Sequence, residues 1–138
     1  MSPTFHYLIM SEHSMFQKEL FGRIKDSGLT IGQPKILDYL KDYDGAGQKD
    51  IAQGCHIEPG TLTTLLNRME DAGLVERRML NGNRRNLYVF LTDKGRAQLA
   101  LVTETFSEIE EKAFRGISES EQKAFMDVFL RIYENTLC

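Results

Sequence analysis

Apolar positions recur along most of the chain at steps of three and four residues, and this spacing predicts helices. Residues 5–25 carry a broad apolar stripe, and a terminal helix with so broad a stripe is expected to contact more than one neighbour. Residues 30–33 read Thr-Ile-Gly-Gln, which predicts a capping box at the start of a second helix. That second helix turns three side chains inward, namely Ile36, Leu37 and Leu40.

A third and a fourth helix are predicted in close succession. The third begins near Gln48 and buries Ile51 and Ala52, and the residues from Gly54 to Glu58 form a turn. The fourth begins at Pro59, because proline suits the first position of a helix. It ends at Gly73, which can adopt a left-handed conformation. Its apolar face is formed by Leu62, Leu65, Leu66 and Met69.

The opposite face of the fourth helix is polar, with short hydrogen-bonding side chains and one guanidinium group. Such a face suits the major groove of DNA, where hydroxyl groups meet phosphates and Asn or Arg side chains pair with base edges. Because a solvated surface is the competing interpretation, this assignment depends on the structure of the next segment of the chain. The residues concerned are Thr61, Thr63, Thr64, Asn67 and Arg68.

A β-hairpin is predicted after the fourth helix. Residues 75–79 and 86–91 are strand candidates, and Asn81-Gly82 between them is a strong turn signal. Arg84 and Arg85 lie just after the turn, where they could reach a duplex backbone or minor groove. Two helices and a basic hairpin in this order predict a winged helix-turn-helix.

The C-terminal part is predicted to be a pair of helices. Residues 93–115 form a long helix, capped by Thr92 and ended by Gly116. Ser118 and Glu121 predict a capping box for the last helix. Because two apolar helices outside a small winged domain need a partner surface, we expect both chain ends to form an assembly module. The apolar seams comprise Leu99, Val102, Phe106, Ile109 and Ala113 in the long helix, and Phe125, Val128, Phe129 and Ile132 in the last one.

Charge is distributed unevenly along the chain. The net charge of −3 argues weakly against nucleic-acid binding. However, residues 74–96 hold six of the seventeen cationic side chains and only two of the twenty acidic ones. A basic hairpin on an acidic body favours one face that meets phosphates.

Several other classes of protein find little support. The sequence has no paired nucleophile and base, Gly-rich phosphate loop or metal cluster, so we expect neither an enzyme nor a cofactor. His6 and His13 lie two helical turns apart, which is too far for one metal ion. No membrane span or signal peptide is evident, and we therefore expect a cytoplasmic protein. Cys55 and Cys138 are interpreted as reduced thiols.

The order of these elements and three stretches of sequence resemble the MarR family of bacterial transcription regulators. The stretches are LTIGQPKILDYL, QKDIAQGCHIEPGTLTTLLNRMEDAGLVERR and NRRNLYVFLTDKG, which lie between residues 29 and 95. The resemblance implies a homodimer that binds a near-palindromic operator in double-stranded DNA, often under the control of a small-molecule effector. The β-hairpin is the wing of this fold. Asn83 stands where family members usually carry Asp before the paired arginines, so an arginine of the wing loses a charged partner.

We therefore expect a mainly α protein with a small β-hairpin, formed by residues 1–138 as one domain. Residues 29–95 are the winged helix-turn-helix, and residues 5–26 and 96–138 are dimerisation helices. The function expected is that of a dimeric, sequence-specific DNA-binding regulator, a repressor released by an effector. DNA contacts are expected from Thr61, Thr63, Thr64, Asn67, Arg68, Arg78, Asn83, Arg84 and Arg85, and effector contacts from Phe16, Tyr39 and Tyr43.

Two alternatives are compatible with the sequence. In the first, the winged domain no longer binds DNA and the acidic helical end docks a protein partner, as the negative net charge would allow. In the second, the chain binds DNA but responds to a metal ion or an oxidant through its histidines or cysteines.

Overall fold

The computed structural model describes residues 1–80, 82 and 86–137, and it divides into two compact units, Met1–Phe106 and Ser107–Cys138. The chain is mainly α-helical with one two-stranded antiparallel hairpin, so the predicted fold class is confirmed. A short 3-10 helix, Lys25–Ser27, comes after the first α-helix. In chain order the elements are α1 (Phe5–Arg23), α2 (Gln33–Asp42), α3 (Gln48–Cys55), α4 (Pro59–Asp71), β1 (Val75–Met79), β2 (Leu87–Leu91), α5 (Asp93–Ala113) and α6 (Glu119–Thr136).

Helices α2, α3 and α4 form the core of the first unit. The apolar faces predicted for them are buried, which confirms the helical spacing read from the sequence. Side chains with a fractional exposure of 1% or less come from all three helices, and this mutual burial fixes the orientation of α4. They include Ile36, Leu37, Leu40, Ile51, Cys55, Leu62, Leu66 and Met69.

Helix α4 ends in a Schellman motif. Gly73 has a φ of 78°, and its N–H donates to the carbonyl of Glu70 at 2.9 Å. The N–H of Leu74 donates to the carbonyl of Met69, also at 2.9 Å, while the Leu74 side chain is buried. The predicted stop at Gly73 is therefore confirmed, and the chain turns from it directly into β1.

The start of α2 differs from the prediction. Its N-cap is Gly32, which has a φ of 92°, and not Thr30. A turn precedes the helix, in which the N–H of Gln33 donates to the carbonyl of Thr30 at 3.0 Å. Only the reciprocal half of the capping box forms, since Gln33 Oε1 accepts from the N–H of Thr30 at 3.0 Å. The box predicted at Ser118 and Glu121 is complete, and that prediction is confirmed.

The segment between α2 and α3 pairs with the hairpin. Gly45 donates its N–H to the Val89 carbonyl at 2.8 Å, and the N–H of Val89 donates to the Ala46 carbonyl at 2.9 Å. Asp44 accepts from the N–H of Leu91 and from Arg96, both at 2.8 Å. These contacts join residues more than forty positions apart, so the local composition of the segment does not predict them.

Helix α5 starts as predicted, with Thr92 Oγ1 accepting from the N–H of Gly95 at 3.0 Å. A Cβ atom on Gly95 would collide with the backbone carbonyl of Leu74, so this position admits no side chain. The predicted seam is buried at Leu99, Val102 and Ile109, half-buried at Phe106 and exposed at Ala113.

Helices α1 and α6 leave large apolar side chains exposed. Leu20 is the buried residue of α1, and α6 buries none of its residues, all of which are described. Within the second unit, Phe114, Phe125 and Phe129 form a chain of ring contacts with centroids 6.1 and 5.3 Å apart. Among the described helices, none combines the length and apolar character that a membrane span requires.

Candidate nucleic-acid interface

Helix α4 presents a polar face to solvent. Thr61, Thr63, Thr64, Asn67 and Arg68 are all exposed, as the helical spacing predicted. The hydroxyl groups of Thr63 and Thr64 donate to carbonyl groups one turn earlier in the same helix, at 3.1 and 3.3 Å. The hydroxyl of Thr61 lies 3.5 Å from Glu58 Oε2. These five side chains lie on one helix and are brought together on its surface.

Arg77 of β1 reaches across to this helix. Its Nε and Nη2 atoms donate to Glu70 Oε1 at 3.3 and 2.9 Å, and its backbone N–H donates to Glu70 Oε2 at 3.0 Å. Nη2 also donates to Asn67 Oδ1 at 2.7 Å, and Nη1 donates to Gln48 of α3 at 3.4 Å. One guanidinium group thus ties the first wing strand to two helices, and charge-assisted, forked bonds of this kind are directional.

The ion pair changes the electrostatics of α4. The side-chain hydrogen bond from Arg77 is the main cause that holds the pKa of Glu70 below its usual value, with the Arg77 backbone N–H adding to it. Only 14% of the Arg77 side chain is exposed, against 39% of the Glu70 side chain. Glu70 therefore faces a cation, and its charge opposes an approaching phosphate less than that of an unpaired carboxylate would.

Arg78 occupies the other side of β1. Its guanidinium carbon lies 4.3 Å from the centroid of the Phe90 ring, and Nη2 pairs with Glu76 at 2.8 Å. Both members of this ion pair are more than half exposed, so it contributes little stability. Neighbouring residues of a strand point to opposite sides, and of Arg77 and Arg78 it is Arg78 that stays accessible.

The tip of the hairpin is only partly described. Gly82 has a φ of 69°, in the left-handed region expected for a turn glycine. The predicted contact residues Asn83, Arg84 and Arg85 lie outside the described residues, and so does Asn81.

The three predicted effector residues fall into two ring pairs. Phe16 packs against Phe106 of α5, with centroids 5.8 Å apart. Tyr39 stacks on Tyr43, with centroids 4.7 Å apart, beside an open cleft of about 480 Å³. Among the described residues, Phe16 does not line this cleft, whose lining comprises Tyr39, Tyr43, Asp44, Gly45, Ala46, Asp50, Gln53 and Gly54.

The cleft wall is closely packed on one side. A Cβ atom on Gly54 would run into the ring of Tyr39, so glycine is needed where α3 crosses α2. Burial, followed by the charge of Asp50, raises the pKa of the Tyr39 phenol. The tyrosine therefore stays protonated and able to donate a hydrogen bond at neutral pH.

Cys55 is a poor candidate for an oxidant sensor. It is buried at 1% exposure, its Sγ lies 3.8 Å from the carbonyl of Lys35, and burial raises the pKa of its thiol to about 11. Since the thiolate is the reactive form, this cysteine reacts slowly at neutral pH. In the described part of the chain, no three His, Cys, Asp or Glu residues are grouped as metal ligands would be.

Comparison with known proteins agrees with this geometry. The model of the MarR family matches residues 29–87. The uncharacterized HTH-type transcriptional regulator YwhA of Bacillus subtilis is 27% identical over 97 residues, which are 70% of each chain. The crystal structure of transcriptional regulator PA3341 is 30% identical and covers 96% of this chain and 97% of its own, with a TM-score of 0.84. A Staphylococcus aureus MepR–DNA complex is 26% identical, covers 97% of this chain and 99% of its own, and has a TM-score of 0.85.

The helix-turn-helix and the hairpin on the same core define a winged helix-turn-helix protein. The chain belongs to the MarR family of transcriptional regulators, which confirms the resemblance seen in the sequence. Members of this family are regulators and not enzymes, so this chain is a regulator too.

Three residues of this interface were missed by sequence reasoning. Neither the spacing nor the charge distribution of the sequence assigned a role at the hairpin to Glu70, Gln48 or Asp44. A glutamate in the last turn of a helix, with an arginine seven residues later on a strand, was the available signal for the contact between Glu70 and Arg77.

Replacing Glu70 with glutamine should lower the free energy of unfolding near pH 7 by about 1 kcal/mol, because a partly exposed charge-assisted bond is lost. The pKa of Glu70 is lower in the folded state, so its contribution is present above the unfolded-state pKa of about 4.3 and is lost as pH falls through the folded-state value. Urea unfolding followed by circular dichroism should therefore show that the free energies of unfolding of wild type and Glu70→Gln become equal as the solution is made acidic.

Glu104→Gln is the matched control, because Glu104 is an exposed glutamate on α5. Its stability should differ little from that of wild type across the same pH range. A gap between wild type and Glu70→Gln that stays constant down to pH 3 or so would contradict the assigned role of the ion pair.

Proposed function

We propose that this protein is a homodimeric, sequence-specific DNA-binding regulator that represses transcription and is released from its operator by a small molecule. The observation that carries the proposal is the set of hydrogen bonds from Arg77 of β1 to Asn67 and Glu70 of α4. These bonds hold the polar helix face and the basic hairpin next to each other. We expect it to act in the cytoplasm, where its DNA target lies.

In this proposal α4 enters the major groove. Thr61 contacts a phosphate, Thr63 and Thr64 lie at the groove surface with their hydroxyl hydrogens bonded to helix carbonyls, and Asn67 and Arg68 reach base edges or the backbone. The DNA complex of MepR and the complex of a putative MarR family regulator from Listeria monocytogenes with a 26mer DNA support the duplex as partner.

The wing supplies the second contact. Arg78 is accessible on β1, and Asn83, Arg84 and Arg85 come after the turn in sequence, where they would meet the adjacent minor groove. Because most acidic side chains lie elsewhere in the chain, the hairpin is the segment that attracts phosphate most strongly.

Dimerisation is supported by apolar surface that each unit leaves uncovered. Clusters of large apolar side chains exposed on a surface often mark an interaction site. A second copy of the chain is the partner we propose, because two recognition helices read two half-sites of a palindrome. The side chains include Phe5, Tyr7, Leu8, Met10 and Met15 of α1, and Phe125, Met126, Val128 and Leu130 of α6.

For the effector we propose the cleft beside Tyr39 and Tyr43. Its wall includes the Asp44–Ala46 segment, which is hydrogen-bonded to β2. A ligand that displaces this segment would therefore disturb the wing, which gives a route to release. Phe16, the third effector candidate, packs on Phe106 and would act only through the helix contact between α1 and α5.

The two alternatives are weaker. A protein-docking module without DNA binding would not require the guanidinium tie, and an oxidant sensor is opposed by the burial of Cys55 and the raised pKa of its thiol.

DNA binding should weaken steeply with salt. A duplex selected from a random library should bind the wild-type dimer, and the double variant Arg84→Ala with Arg85→Ala should lose affinity on the order of 100-fold. The slope of log affinity against log salt should fall by roughly 3 to 4 units if all four arginines of a dimer meet phosphates. Fluorescence anisotropy over a range of salt concentrations measures both quantities.

The matched control is Arg115→Ala with Lys123→Ala, which removes two exposed cations from the second unit. It should bind with nearly the wild-type slope. Equal losses in the two double variants would mean that net charge, and not the wing, governs binding.

Replacing Val128 with glutamate should split the dimer, because an unpaired carboxylate would be buried in the apolar interface. Val128 is 53% exposed in the single chain, so the substitution is compatible with the fold of the subunit. Sedimentation velocity should show monomers for this variant and dimers for Lys123→Gln, a polar position of the same helix. A wild-type protein that sediments as a monomer would overturn the dimer proposal.

A further inference from the structure

We propose that Asn67 reads its base with the amide nitrogen alone and therefore selects guanine over adenine, because Arg77 holds the amide oxygen. The inference rests on the proposed function, in which α4 lies in the major groove. It assigns Arg77 as a positioning residue for sequence readout, in addition to its place in the fold.

The orientation of the Asn67 amide is set by the chemistry of its neighbour. A guanidinium group has five N–H donors and no acceptor, so the amide atom that faces it must be oxygen. Nη2 of Arg77 lies 2.7 Å from Asn67 Oδ1. The two donor hydrogens of Asn67 Nδ2 are thus left for another partner, and Asn67 is exposed on the polar face of α4.

Arg77 cannot easily release the amide oxygen, because it is itself held in place. Glu70 accepts from its Nε, its Nη2 and its backbone N–H, at 3.3, 2.9 and 3.0 Å. Gln48 approaches Nη1 at 3.4 Å, and the arginine side chain is only 14% exposed. Rotation of the Asn67 amide would place two N–H groups against a guanidinium, which no hydrogen bond compensates.

This orientation limits which base Asn67 can pair with. An asparagine recognises adenine through two bonds, with its oxygen accepting from N6 and its nitrogen donating to N7. Here the oxygen is engaged, so the adenine pair is incomplete. Guanine presents two acceptors, N7 and O6, which suit an amide that offers only donors, and the N4 amino group of cytosine is rejected.

The neighbouring side chains do not duplicate this donor. Thr63 and Thr64 lie one turn before Asn67, and their hydroxyl hydrogens are directed at the carbonyl groups of Pro59 and Gly60. Their outward lone pairs can accept but not donate while these bonds hold. Asn67 therefore supplies a donor at the centre of a face whose adjacent hydroxyl groups are acceptors.

The experiment uses the full-length protein and an operator selected from a random duplex library. The base pair read by Asn67 is the position where Asn67→Ala loses discrimination, and all four base pairs are then compared there by fluorescence anisotropy. Wild type should prefer guanine over adenine by on the order of 10-fold. In Arg77→Met with Glu70→Gln, which removes both charges together, the amide is released and adenine should equal or exceed guanine.

A second variant covers the case in which that double change disturbs the wing. Asn67→Asp keeps an oxygen for Arg77 but turns the outward atom into an acceptor, so preference should move to cytosine, whose N4 group donates. Circular dichroism and sedimentation should match wild type for each variant. Asn67→Gln is the control for side-chain length. It keeps the amide group, but the longer side chain cannot hold the bond to Arg77 and contact the same base at once.

The outcomes separate this inference from the proposed function. If wild type binds selected duplexes but Asn67→Ala keeps every base preference, or the released amide still prefers guanine, the inference is wrong and the DNA-binding function stands. If wild type shows no salt-dependent binding to any duplex, both are wrong.

Discussion

The contact between Arg77 and Glu70 is the interaction on which the proposed DNA-binding surface, formed by the polar face of α4 and the hairpin, depends. It joins the first strand of the hairpin to the last turn of α4, across a Schellman turn whose backbone is already closed by Gly73. Without it, β1 would keep its pairing with β2 but would lose its side-chain links to α4 and α3. The same guanidinium holds Asn67, so the geometry of the wing and the chemistry of the helix face are linked.

The second strand is held by an independent set of bonds. Asp44 accepts from the Leu91 N–H and from Arg96, and Val89 pairs with Gly45 and Ala46, which follow Asp44 in the chain. Gly95 lets the start of α5 pack directly on the backbone of Leu74. Both edges of the hairpin are therefore fixed to the helical core, one through α4 and the other through the segment after α2.

How much of this could be predicted from the sequence depended on the range of the contacts. Helical periodicity located the buried faces of α2, α3 and α4, because each face is a local pattern, and Pro59 and Gly73 marked the ends of α4. Contacts between distant residues left no such pattern. The roles of Asp44 and Gln48 arise from contacts of this kind.

The candidate site was predicted to a similar extent. The five polar residues of α4 could be assigned to one face, since that assignment needs helix geometry alone. That one of them, Asn67, has its oxygen engaged by a strand residue could not be read from spacing, and neither could the separation of Phe16 from the stacked tyrosines. These features depend on which side chains meet after folding.

The most direct test of the account is dimethyl sulfate protection of a selected operator, which reports guanine N7 in the major groove and adenine N3 in the minor groove. We expect guanine protection in two patches about 10 bp apart on one face of the duplex, with adenine protection flanking them where the wings lie. A single protected patch, or protection of adenine N3 without any protection of guanine N7, would contradict it.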